Sequence, residues 1–389
     1  MELKKFLLIP ILMAILAYLL YEPVPDYVQD WHSVAIKNCI GKLCHFIGSA
    51  LSLTGLWEAP HVQLQRLADL ALLTPALPAN SSRLTVTEAR FADSRALVFR
   101  PAGARAGGPG LVWIHGGGWV FGSPDASAGF VTRLAMRINI TAVAIEYRRA
   151  PEHPFPAAFD DCLAAVRSIL ANASSVLGVN PHRIMLGGDS AGGQLAASVT
   201  QALAKAEDQL TPRLQLLVYP ITQLANFRTQ SHRESYRSPL LEGSQVARSA
   251  SMYLTGSIRH WRSVIGNGHA SKSVRAVYTE RLGESMPPES SHADATLAAK
   301  LEKLLIDPRV SPLLTPSIDP LRLPPAYIVA CQHDPLRSDA HLYSQRLEKS
   351  GVRVYYKYYP CYHGCLTEDK DAKRIVDDMA VFFNSNAML

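Results

Sequence analysis

Gly188-Asp189-Ser190-Ala191-Gly192 sets a serine among small residues, directly after the apolar run 184–187 and at the start of a helical pattern. A strand turning sharply into a helix would lift the Ser190 hydroxyl to the C-terminal edge of a sheet, and only small residues fit beside such a turn. Ser190 is therefore a candidate nucleophile. A serine needs a base, and the base needs an orienting carboxylate. When the serine comes first in the chain, the acid and then the histidine follow it. Asp334 stands just past the run 326–331, and His363 lies in the turn after 352–359. Asp339 sits inside a helix start and is the weaker acid, while His333 precedes Asp334 and would leave the last strand without a base. Upstream, His115-Gly116-Gly117-Gly118-Trp119 follows the run 111–114. Its glycines let successive N–H groups turn into one cavity. The amides of Gly116 and Gly117, with that of Ala191, are the expected oxyanion hole, each donor contributing about 3–4 kcal/mol to the transition state. A phosphate cradle does not fit, because neither a P-loop lysine nor G-x-G-x-x-G is present.

These residues need a sheet to position them. Strand-like runs at 111–115, 141–147, 183–188, 214–219, 326–331 and 352–359 alternate with helical patterns near 125–138, 157–175, 191–207 and 338–350. Gly351 caps the fourth of these, and a final helix is expected over 369–383. Such alternation requires crossover connections, hence an α/β fold with a mainly parallel central sheet and helices on both faces. The rhythm breaks between 219 and 326, a stretch too long for a structureless loop in a compact domain. It reads as a helical cap inserted at about 222–310 in a catalytic domain of 86–389, joined by the lead-in segment 23–85.

The N-terminus points to a membrane. Residues 6–21 carry no charge and follow Lys4 and Lys5; as a helix they span about 24 Å. Snorkelling lysines extend that reach toward a hydrocarbon core of roughly 27 Å. No small-residue cleavage site ends the run, so an uncleaved anchor over 1–22 is expected rather than a removed signal peptide. Glu22, Asp26 and Asp30 follow it, which keeps the N-terminus cytosolic and sends the rest into the lumen. A lumenal chain can carry glycans at the sequons of Asn80, Asn139 and Asn172. Asn80 looks the most exposed, whereas Asn139 leads straight into an apolar run and is expected to lie too close to the core. The six cysteines allow 15 full pairings, among which spacing does not choose. Cys361 and Cys365 have no CxxC partner, so no zinc site is expected.

Composition adds limits. The 389 residues are 48% hydrophobic and 19% charged, ordinary globular proportions that exclude collagen-like and wholly disordered classes. The net charge of +6 is scattered rather than massed, which gives no case for nucleic acid.

In order, the chain shows HGGGW; Tyr147-Arg148-Arg149-Ala150-Pro151-Glu152 with Phe155-Pro156-Ala157; GDSAGG; Ser311-Pro312-Leu313; Cys331-Gln332-His333-Asp334-Pro335-Leu336-Arg337; and His363-Gly364. With the anchor and Pro23-Val24-Pro25-Asp26, this resembles the hormone-sensitive lipase branch of the α/β-hydrolases, above all its arylacetamide deacetylase and neutral cholesterol ester hydrolase group. The resemblance implies a single-pass, type II protein of the endoplasmic reticulum membrane with a lumenal esterase domain. It also implies Ser190, His363 and Asp334 as catalytic triad, Gly116, Gly117 and Ala191 as oxyanion hole, and no cofactor or metal. The expected substrate is a lipophilic ester or aryl amide; alternatives are sterol esters or acylglycerols, or a non-catalytic binding protein on the same scaffold. Three positions depart from the pattern. Val120 replaces a cysteine that in relatives pairs with the counterpart of Cys331, leaving Cys331 as an expected buried thiol. Ser338 replaces an aspartate, and Cys365 an apolar or aromatic residue. The cap around 225–300 matches least, and substrate choice is expected to reside there.

Overall fold

The computed structural model describes residue 28 and residues 31–52, 60–68, 80–206, 210–235, 237–289, 292–367 and 369–385. The expected anchor, 6–21, lies outside the described residues. Among them, no helix is long and apolar enough to cross a membrane. Two compact units divide the chain, 1–74 and 75–389. The first contains helices α1 (Trp31–Ser52) and α2 (Pro60–Ala68), which pack against each other.

The second unit is built on an eight-stranded sheet of order β1-β2-β4-β3-β5-β6-β9-β10. Six strands answer to the apolar runs: β3 (Gly108–Ile114), β4 (Thr141–Ile145), β5 (Val179–Asp189), β6 (Leu214–Val218), β9 (Ala326–His333) and β10 (Val354–Tyr362). They pair in parallel, and β4 and β6 are buried at every residue, as strands covered on both faces must be. Strands β1 (Leu84–Phe91) and β2 (Ser94–Pro101), an antiparallel hairpin at the sheet edge, are additions to the expected strands. Strand β1 buries only its terminal Leu84 and Phe91, so it offers no apolar run to notice.

Helices lie on both faces. Helix α3 (Pro124–Ile138) begins where the Ser123 side chain accepts from the Ala126 N–H and ends at Asn139 in a left-handed conformation. With α12 (Asp369–Ser385) it encloses a core around Trp113, Phe130, Tyr327 and Phe383. Leu111 and Trp113 of β3 face this core, while the alternating Val112 and Ile114 point to the other face. That second face carries α4 (Ala157–Asn172), α5 (Ala191–Lys205) and α11 (Arg337–Lys349).

Between β6 and β9 the chain forms α6 (Gln230–Glu234), the short hairpin β7–β8 (Arg237–Ser238, Leu241–Glu242), α7 (Gly243–Thr255), α8 (Trp261–Ile265), α9 (Lys272–Leu282) and α10 (Ala295–Leu305). Its exit from β6 is fixed by buried polar bonds. The Thr222 N–H donates to Asp339 Oδ2 at 3.0 Å, and the Gln223 amide to Asp339 Oδ1 at 3.1 Å. Ser311 Oγ accepts from the Leu224 N–H at 3.1 Å, which gives the Ser311-Pro312-Leu313 motif a structural task.

Asp339 carries a pH prediction. Burial pushes its carboxyl up to about 7, against about 3.9 in an unfolded chain. Between those values the unfolded chain has lost the proton and the folded chain keeps it, so this group's contribution to stability falls as pH rises. Asp339→Asn removes the titration. Its Tm relative to wild type is expected to climb between about pH 4.5 and 7.5; a flat difference in a thermal unfolding series would show that Asp339 ionises normally.

Of the sequon residues, all three are exposed. The expectation for Asn139 is corrected: as the helix cap it points outward, and its amide nitrogen donates to Gly103 O at 2.6 Å. Asn80 Oδ1 accepts from the Val86 N–H, and the Asn172 amide donates to Ser168 O.

Candidate active site

Strand order reverses at β3: β4 lies on one side of it and β5 on the other. Ligands of open α/β sheets bind in the crevice at such a switch point, beyond the carboxyl ends of the strands. The HGGGW loop leaves β3 there and the serine turn leaves β5, with Ile114 directly opposite Gly188. Both glycine-rich motifs therefore meet at one edge.

Ser190 occupies the turn between β5 and α5 at φ 55° and ψ −121°. Its N–H donates to Val218 O at 2.9 Å, and its carbonyl accepts from the Gln194 N–H at 3.1 Å. The turn needs Gly192 for a specific reason: a Cβ there would stand 2.1 Å from the carbonyl oxygen of Ile114.

From Ser190 a continuous relay runs inward. Ser190 Oγ lies 2.9 Å from His363 Nε2, and His363 Nδ1 lies 2.9 Å from Asp334 Oδ2. Asp334 Oδ1 accepts from the Leu336 N–H at 2.7 Å, which fixes the carboxylate, and Asp334 is fully buried. With Nδ1–H donating to the acid, Nε2 keeps its lone pair for the serine proton. Tyr219 packs its ring 4.4 Å from the imidazole. The structure thus brings together the three side chains that the sequence singles out. Neither rival takes a place in the relay: Asp339 is bound to Thr222 and Gln223 just after β6, and His363 rather than His333 spans serine and acid.

The glycine loop after β3 differs from expectation at one residue. The Gly116 N–H already donates to Asp189 Oδ1 at 3.0 Å and is not free for a substrate oxygen. The N–H groups of Gly117, Gly118 and Ala191 have no acceptor among the described residues. Gly118 therefore stands where Gly116 was expected, beside Gly117 and Ala191. Gly117 must be glycine, since its φ is 114° and a Cβ would meet Phe121 O at 2.4 Å.

Residues not anticipated from sequence hold this loop. Burial raises the Asp189 carboxyl to about 6, and that side chain ties the loop after β3 to the turn after β5. The Trp119 indole donates to Gln194 Oε1 of α5 at 2.9 Å. Its ring stacks at 4.4 Å on Tyr253 of α7, so a helix from the β6–β9 insertion seats directly on the glycine loop. The Tyr147 hydroxyl donates to His115 O at 3.0 Å, and the two rings stack at 4.3 Å. Burial lowers His115 to about 3, so it stays neutral and structural. For His115, Trp119, Tyr147 and Asp189 the only sequence signal was membership of the motifs; Gln194 and Tyr253 carried none.

A parallel sheet with a serine at the β5–α5 turn, an amide-lined glycine loop and a histidine–acid pair beyond it defines an α/β-hydrolase. Comparison with known proteins agrees. A family model described as the α/β hydrolase fold matches residues 111–279 and 264–367. Bovine arylacetamide deacetylase is 31% identical over 380 residues, covering 93% of this chain and 94% of that protein. Rat neutral cholesterol ester hydrolase 1 is 30% identical over 380 residues, covering 92% of each. Among solved structures, an ester hydrolase from the Lake Arreo metagenome, complexed with a bipyridine phosphonate derivative, aligns with a TM-score of 0.61 and 28% identity over 89% of this chain and 98% of that one. The chain belongs to the arylacetamide deacetylase and neutral cholesterol ester hydrolase group of the hormone-sensitive-lipase-like α/β-hydrolases. It is a serine ester hydrolase.

Proposed function

We propose that the protein is a membrane-anchored hydrolase of lipophilic esters or aryl amides, acting through Ser190, His363 and Asp334. The observation that carries this is the unbroken relay, 2.9 Å from serine to histidine and 2.9 Å from histidine to acid. Ser190 Oγ attacks the acyl carbonyl as its proton passes to His363 Nε2. Gly117, Gly118 and Ala191 N–H groups hold the resulting oxyanion. His363 then protonates the leaving alcohol or amine, and an acyl-enzyme remains. Water, activated by the same imidazole, releases the acid and restores Ser190. Asp334 keeps Nδ1 protonated throughout and balances the charge of the imidazolium.

The substrate class rests on two supports. The relatives are named for an aryl acetamide and for a cholesterol ester, both lipophilic acyl compounds. The uncharged stretch 6–21, preceded by lysines and followed by acids, supports a type II anchor in the endoplasmic reticulum membrane that holds the site beside a bilayer. In that orientation the exposed sequons at Asn80, Asn139 and Asn172 face the compartment of glycosylation. Comparable identity to a cholesterol ester hydrolase favours a second reading, hydrolysis of sterol esters or acylglycerols.

A series of p-nitrophenyl esters from acetate to palmitate, given to the detergent-solubilised protein, separates the two. A maximum at short chains is expected for the deacetylase reading. A maximum at long chains would replace it with the lipid ester reading.

A further inference from the structure

The turn that carries His363 is flanked by sulfur. Cys361 precedes the histidine by two residues and Cys365 follows it by two. Gly364, at φ 89°, reverses the chain between them. The two Sγ atoms lie 2.8 Å apart. Cys331, on the neighbouring strand β9, places a third Sγ 3.2 Å from Cys361 and 3.8 Å from Cys365. All three residues are buried. Spacing alone offered Cys361 and Cys365 no partner; the fold supplies one from the strand that also ends in Asp334.

Such a group of thiols suits either a thiophilic metal ion or a sulfur–sulfur bond. A divalent metal on three thiolates forms a complex of net negative charge. The carboxylates of Asp371 and Asp334 act on Cys361 and oppose added negative charge. A disulfide is neutral and suits an apolar interior. Closing 2.8 Å to the bonded distance of about 2.05 Å needs less than 1 Å of movement.

We propose that Cys361 and Cys365 are joined as a disulfide that staples the His363 turn, with Cys331 remaining a thiol beneath it. One thiolate of the pair attacks a sulfur of an external disulfide oxidant, such as glutathione disulfide or a thiol–disulfide oxidoreductase, and expels one thiolate. The other thiolate of the pair then attacks the cysteine sulfur of that mixed disulfide and displaces the second. The two cysteines lose two protons and two electrons, and the oxidant leaves as two thiols. Because the sulfurs are buried in the finished fold, this exchange belongs to folding, before β10 settles beside β9. The bond closes a ring of five residues centred on His363 and makes Cys361 and Cys365 positioning residues for the imidazole. That effect on rate rests on the proposed role of His363; the bond itself does not.

The experiment is thiol mapping of the full-length, detergent-solubilised protein, unfolded in N-ethylmaleimide with and without prior reduction and digested with trypsin. The peptide 358–370 carries both Cys361 and Cys365, and 323–337 carries Cys331. Without reduction, 358–370 is expected unlabelled and lighter than the dithiol by two hydrogens, and 323–337 labelled. After reduction both label fully. Labelling of all three without reduction, a cross-link between the two peptides, or stoichiometric zinc in elemental analysis would each overturn the proposal. Cys365→Ser tests the consequence: kcat should fall about tenfold with KM little changed. An unchanged kcat in the folded variant would remove the positioning role, whereas the mapping result stands whatever the enzyme hydrolyses.

Discussion

Replacing Ser190 by alanine should lower kcat on p-nitrophenyl esters by about 10⁶-fold, the scale seen when a serine nucleophile is removed from a triad. Alanine keeps the Cβ and leaves the turn between β5 and α5 as it is, so the loss isolates the hydroxyl. What remains should be the weak background that the oxyanion donors provide without a nucleophile. A fluorophosphonate probe should label the wild type at Ser190 and leave the variant untouched. Circular dichroism and thermal unfolding would establish that the variant is folded. Ester hydrolysis at the wild-type rate in that folded variant would sink the assignment, because among the described residues no other serine is held against His363.

Asp334→Asn should cost about 10⁴-fold in kcat with a small change in KM. The substitution preserves size, and an amide oxygen can still accept from the Leu336 N–H, which now donates to Asp334 Oδ1 at 2.7 Å. What changes is the partner of the imidazole. An amide NH₂ facing Nδ1 demands a lone pair there, so the proton moves to Nε2 and points at Ser190. The histidine is then in place and in the wrong tautomer. A loss confined to kcat, with fluorophosphonate labelling slowed in proportion, would mark this as a failure of proton transfer. Equal losses in substrate binding would instead mean that Asp334 shapes the pocket and that the relay is not what limits the reaction.

The parts of this site that could be read from sequence are those whose chemistry is local. A serine between glycines after an apolar run, a triple glycine after another, and an acid and a histidine at two later strand ends each need only a few consecutive residues to be visible. Parallel strands buried on both faces, such as β4 and β6, are equally plain because every residue is apolar or nearly so. What escaped was relational. The engagement of the Gly116 N–H depends on Asp189, 73 positions away, and on the β3–β5 register that brings them side by side. Tyr253 reaches Trp119 from an insertion whose helices carry no motif, and Cys331 reaches Cys361 only across a strand pair. Strand β1 was missed for a different reason: an edge strand that buries two of eight residues leaves almost no hydrophobic trace, although the buried apolar run 96–99 of its neighbour β2 was legible.

The geometry of the serine turn also bears on how this chain can change. At φ 55° and ψ −121°, an L-residue is held in a conformation that costs about 1–3 kcal/mol, and glycine would relieve most of it. Position 190 is therefore a place where the most stable sequence and the active sequence differ. Selection for robustness alone would favour glycine, and a lineage released from catalysis would have a downhill path to it.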